Sequence, residues 1–79
     1  IIIDKKLISS GINILELLAS NNILKSKSEA RRAIDNKGIK INDATITNKD
    51  EIINLNYFKD ENFIKVSFGK KNHFIFKII

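Results

Sequence analysis

With 79 residues and a formal net charge of +5, from 14 Lys and Arg against 9 Asp and Glu, the chain has room for one domain at most. It has no cysteine and one histidine, which excludes disulfides, thiolate metal sites and histidine-cluster zinc chemistry and leaves stability to a core of Ile, Leu, Val and Phe. No apolar run approaches the ~20 residues that span a bilayer, and no signal-peptide pattern follows Ile1-Ile2-Ile3, so a cytoplasmic protein without membrane attachment is expected.

Methionine is absent even at position 1, and the chain is expected to be a segment of a longer protein. Ile, Asn and Lys supply 39 of the 79 residues. A bias of that kind inflates lysine without any selection for binding, so the placement of charge is more informative than its amount.

Residues 1–11 carry apolar side chains without a clear period and end at Ser9-Ser10-Gly11; they read as a linker or the end of an upstream element, with the domain proper at 12–79. A helix is predicted from Asn13, a good N-cap, with Glu16 placed to close a capping box and Ile12 and Leu17 to form a hydrophobic staple. Ile14, Leu17 and Leu18 follow helical spacing. A second helix starts at Ser26 with Glu29 three residues on; Ala30, Ala33 and Ile34 form its buried stripe, and Gly38 is assigned the left-handed residue that stops it. Ile39-Lys40-Ile41-Asn42 alternates as a strand, Asn42-Asp43 is turn chemistry without the usual glycine, and Ala44 to Thr47 returns. Residues 48–62 resist assignment. Phe63 to Phe68 and His73 to Ile79 read as strands joined by a four-residue connection, Gly69-Lys70-Lys71-Asn72. The expected fold is α+β, two short helices packed on a small antiparallel sheet.

Six of the 14 basic residues fall between Lys25 and Lys40, including the adjacent Arg31-Arg32. Arginine's planar fork suits phosphate oxygens, and a rigid cationic helix followed by a strand suits a nucleic-acid backbone. An ordinary solvated helix face, with Glu29 and Asp35 making local ion pairs, accounts for the same pattern. Lys70 and Lys71 stand on the predicted hairpin tip, either as a soluble turn or as a second cationic finger. The rings of Tyr57 and His73 can stack on unpaired bases or simply pack against the sheet.

Catalysis has little to rest on. A lone His73 has no cysteine or triad spacing to work with, Ser26 and Ser28 are explained by capping, and three glycines form no phosphate-binding loop. Asp50, Glu51, Asp60 and Glu61 lack EF-hand spacing. Neither a catalytic nor a metal-ligating residue is expected in this segment.

Lys25-Ser26-Lys27-Ser28-Glu29-Ala30-Arg31-Arg32-Ala33-Ile34, followed by Gly38-Ile39-Lys40-Ile41-Asn42, resembles the signature of the S4-like RNA-binding module, with Asp43 where that family usually has glycine. Phe68-Gly69-Lys70-Lys71-Asn72-His73-Phe74-Ile75 resembles the ending of bacterial tyrosyl-tRNA synthetases, with Phe68 in place of the usual arginine and His73 in place of tyrosine. The resemblance implies an S4-like (alpha-L) fold and an RNA-binding set of Lys25, Lys27, Arg31, Arg32, Lys37, Lys40, Lys70, Lys71 and His73. It also implies a parent tyrosine-tRNA ligase, using ATP and Mg in an upstream domain, for which this segment holds the anticodon stem and long variable arm of tyrosine tRNA. The parent is then expected to be a homodimer and the isolated domain, needing no cofactor of its own, a monomer. Two other readings stay open: an S4-like module of an rRNA-binding or pseudouridine-synthase-type protein, and a protein-interaction module whose apolar edge strand, Ile75 to Ile79, docks on a partner.

Overall fold

Three helices, not two, build one side of the molecule in the computed structural model, which describes residues 1–59 and 61–79. Asp60, one of the acids in the unassigned stretch, lies outside the described residues. Helix α1 (Lys5–Ser10) starts at Asp4, whose carboxylate accepts from the Lys6 N–H at 2.9 Å, and ends at Gly11. Strand β1 (Ile2–Ile3) precedes it. Residues 1–11 are therefore no linker: Ile3 and Ile8 are buried in the common core. Their lack of period reflects two elements too short to show one.

Helix α2 (Ile14–Ser20) is capped as expected, the Asn13 side chain accepting from the Leu15 N–H at 2.8 Å. Glu16, expected to close a capping box, turns to the next helix instead and meets Lys27 Nζ at 2.8 Å. Helix α3 (Lys27–Asp35) begins at Ser26, whose hydroxyl accepts from the Glu29 N–H at 3.2 Å. Ile14, Leu17, Leu18, Ala30 and Ile34 are buried where these helices meet, and the two small residues Ala30 and Ala33 allow the close approach.

The strands are β1, β2 (Ile12–Asn13), β3 (Ile39–Ile41), β4 (Ala44–Thr45), β5 (Ile52–Ile53), β6 (Phe63–Phe68) and β7 (Asn72–Ile78). Five form a sheet in the order β1-β7-β6-β3-β4, and β2 and β5 make a separate antiparallel ladder. The sheet is mixed where an antiparallel one was expected, because β1 runs parallel to β7. That pairing also removes the free edge expected at Ile75 to Ile79: the Lys77 N–H donates to Ile1 O at 2.7 Å and the Ile79 N–H to Ile3 O at 3.1 Å. Phe68 pairs with Asn72, so the connection between β6 and β7 is three residues long, Gly69 to Lys71. Alternation sorts the faces as predicted: Ile64, Val66 and Phe76 are fully buried against the helices, with Phe68, Phe74 and Ile78 half-buried beside them. Within residues 48–62, β5 and a 3₁₀ turn (Leu55–Tyr57) bring Ile53 and Phe58 into the same core.

Two tight turns bracket β3. The left-handed residue that ends α3 is Lys37, with φ 59°, and not Gly38. The Lys37 N–H donates to Ile34 O at 2.9 Å and the Gly38 N–H to Ala33 O at 2.8 Å, a Schellman pair with glycine one place later than expected. Gly38 answers a steric need, since a Cβ there would lie 3.3 Å from Ala33 O and 4.0 Å from the Phe68 ring. Left-handed backbone is costly for a lysine, so Lys37→Gly is expected to raise stability by about 1 kcal/mol, or ~4–8 °C in Tm for a domain of this size. Thermal unfolding followed by circular dichroism checks it. At the β3–β4 turn, Asn42 and Asp43 both have positive φ (51° and 71°), the signature of a tight type I′ connection, so the missing glycine does not loosen it. The Asn42 amide donates to Tyr57 O at 3.0 Å, and its Oδ1 accepts from the Lys65 N–H at 3.0 Å.

Candidate nucleic-acid interface

All nine candidate RNA-binding side chains are exposed, but they do not form one patch. Lys27 is engaged by Glu16 of α2, and Arg31, one turn further on, shares that flank of α3. Lys25 precedes the cap. Arg32 lies about 100° round the helix from Arg31, on an adjacent side of the helix, where it lines a hollow with Phe68 and Asn36. The adjacent arginines thus serve two different surfaces.

The second surface is the richer one. The Gly69 N–H donates to Gly38 O at 2.9 Å, tying the β6–β7 tip to the C-terminal turn of α3. This bond joins residues 31 apart in sequence and sets Lys70 and Lys71 beside Lys37, with Arg32 in the last helical turn next to them. None of these four cations makes an ion pair among the described residues. The outer face of the sheet continues the end. Lys40 of β3 pairs with Ser67 of β6, and Ser67 with His73 of β7, so the three side chains lie in one row. Ser67, only 3% exposed, places its hydroxyl 2.9 Å from His73 Nδ1 and holds the ring across the strand.

Sequence reasoning passed over Ser67 and Lys65, although the β6 alternation puts both on the outer face. Lys65 Nζ meets the Asp43 carboxylate at 2.8 Å. The hydrogen bond and then the charge of Lys65 hold that carboxyl below its ordinary range, with smaller help from Lys40 and His73. The pair neutralises one lysine, while Lys40 in the β3 row makes no ion pair among the described residues. No group of three or more potential metal ligands occurs among the described residues, and no helix among them is long and apolar enough to cross a membrane.

The family model described as the tyrosine–tRNA ligase SYY-like C-terminal domain matches residues 4–76. The chain belongs to that family. It is 46% identical over 72 residues to a tyrosine–tRNA ligase of Wolbachia pipientis wMel, covering 91% of this chain and 17% of that protein. It is 37% identical over 78 residues to a tyrosine–tRNA ligase of Rickettsia massiliae, covering 99% of this chain and 19% of that protein. The chain therefore spans less than a fifth of the length of these curated relatives.

Within this tyrosine–tRNA ligase C-terminal domain, Tyr57 is a packing residue. It lies half-buried against the core, and its hydroxyl donates a short hydrogen bond to the Glu51 carboxylate. Burial first, and then the bond to and the charge of Glu51, push its phenol from 10.0 up to about 12. The neutral phenol is the form the fold favours. Its stabilising contribution is therefore complete below pH 10 and is lost as pH rises through about 12. Tyr57→Phe is expected to cost about 1 kcal/mol at pH 8, and the gap from the parent chain should close on going to pH 12. Urea midpoints of the two proteins across that range measure it.

Proposed function

We propose that this domain is the S4-like tRNA-binding appendage of a tyrosine-tRNA ligase. In this reading it grips the anticodon stem and long variable arm of tyrosine tRNA, while an upstream domain of the parent enzyme carries out ATP- and Mg-dependent aminoacylation. The observation that carries it is the Gly69–Gly38 hydrogen bond, which gathers Arg32, Lys37, Lys70 and Lys71 at one end of the molecule. Cations fixed on a helix turn and a hairpin tip suit two phosphate tracks at once, and the shape of the RNA between them supplies selectivity. Binding by a module tethered to an enzyme raises the affinity of the whole through effective concentration. The free-edge argument for a protein-interaction module falls with the β1–β7 pairing.

The test is a salt-titrated binding curve of the chain with tyrosine tRNA, the same tRNA with its variable arm shortened, and a fragment of 16S rRNA. Weaker binding on shortening the arm supports the synthetase reading. Equal binding to all three reduces the function to general S4-like RNA binding, and no binding at low salt removes it.

A further inference from the structure

Arg32 of the basic end lines a hollow of about 320 Å³ between α3 and the end of β6, together with Leu24, Glu29, Ala33, Asn36 and Phe68. Its size falls at the lower limit of ligand-binding pockets, which start near ~300 Å³. Glu29, Arg32, Ala33 and Asn36 follow i, i+3, i+4, i+7 spacing and form one stripe along the helix. The short side chain of Ala33 in the middle of that stripe opens the space, and the half-buried ring of Phe68 faces it across the Gly38 turn. The Arg32 guanidinium and the Glu29 carboxylate make no ion pair among the described residues, and the Asn36 amide makes no hydrogen bond among them. Neither the cation cluster nor the core accounts for an aromatic wall with three uncommitted polar groups beside it.

We infer that this hollow is a nucleobase site, holding one unpaired guanine of the RNA bound at the basic end. The inference rests on the RNA-binding reading. Arg32 lines the hollow itself, Lys37 follows Asn36 in the chain, and Lys70 and Lys71 follow Phe68-Gly69, so a cation adjoins each wall to meet the phosphates that flank an extruded nucleotide. Phe68 offers a face for stacking, and the Arg32 guanidinium can stack beside it. Glu29 accepts only, so its carboxylate selects a base edge that presents N–H donors side by side, as guanine's Watson–Crick edge does. Asn36 supplies both a donor and an acceptor to the rest of the edge.

The experiment uses the whole chain and three hairpin RNAs, identical except that a single bulged position carries guanine, uracil or an abasic ribose. The guanine hairpin is expected to bind about tenfold more tightly than the abasic one, a typical gain for stacking one base. Phe68→Leu should erase that gain, and Glu29→Gln should bring guanine down to uracil. A guanine analogue that fluoresces at the bulge should be quenched on binding to the parent chain and not to Phe68→Leu. If guanine and abasic hairpins bind equally and with the same salt dependence, the hollow is no base site and the phosphate-binding reading stands. If none of the three binds at low salt, both fall. Circular dichroism melts of each variant separate loss of the site from loss of the fold.

Discussion

Gly11→Ala is expected to destabilise the domain by about 3 kcal/mol, enough to bring the Tm of a domain this size down by more than 10 °C. Two independent costs combine. Gly11 ends α1 with φ 88° and ψ 138°, a combination that a side chain adopts only under strain. A Cβ on that backbone would also lie 2.8 Å from a methyl carbon of Ile52, inside any real contact distance. Ile52 is 48% exposed and can yield partway, which keeps the cost short of a full core clash. Reversal by a second change that trims this side chain, Ile52→Ala, would restore room but not dihedral freedom, so only about half the loss should return. Chemical denaturation of the single and double variants separates the two costs. Full recovery in the double variant would show that the backbone at this turn carries no strain.

The second large effect is on binding. Replacing Arg32, Lys37, Lys70 and Lys71 together by Gln should make the slope of log affinity against log salt shallower by about 3–4 and weaken RNA binding by about 100-fold at moderate salt. All four side chains are exposed and none forms an ion pair among the described residues, so the melting temperature should move by no more than a few degrees. Replacing Lys25, Lys27 and Arg31 instead should change the slope by less for each charge removed, because Lys27 on that flank is already satisfied by Glu16. Equal losses per charge from the two sets would overturn the assignment of the basic end as the principal contact.

How far these features are legible in the sequence depends on their range along the chain. The Asn13 and Ser26 caps and the Ala30, Ala33, Ile34 stripe depend on neighbours within one or two turns, and they are legible. So is the alternation of Ile64, Val66 and Phe68, because a half-buried strand writes its own period. Strand β1 is not legible: Ile1-Ile2-Ile3 has no period, and its partner is the opposite end of the chain. The turn at Lys37 is misread because the rule that reserves left-handed backbone for glycine points one residue too far. Glu16 looks like a capping residue because its cross-helix partner is 11 positions away. For the site, each cation is visible individually, but their division between two surfaces is not. It depends on helix rotation between Arg31 and Arg32 and on one long-range contact at Gly38.

That contact is made by backbone atoms alone, an amide and a carbonyl. Mobile ions compete with charged side chains for phosphate, but they barely touch a neutral peptide bond. If the basic end binds RNA as proposed, raising the ionic strength should release the RNA without scattering the groups that hold it. On the proposed reading, the scaffold that the RNA leaves is the one it meets on return, and rebinding after desalting should show no refolding step.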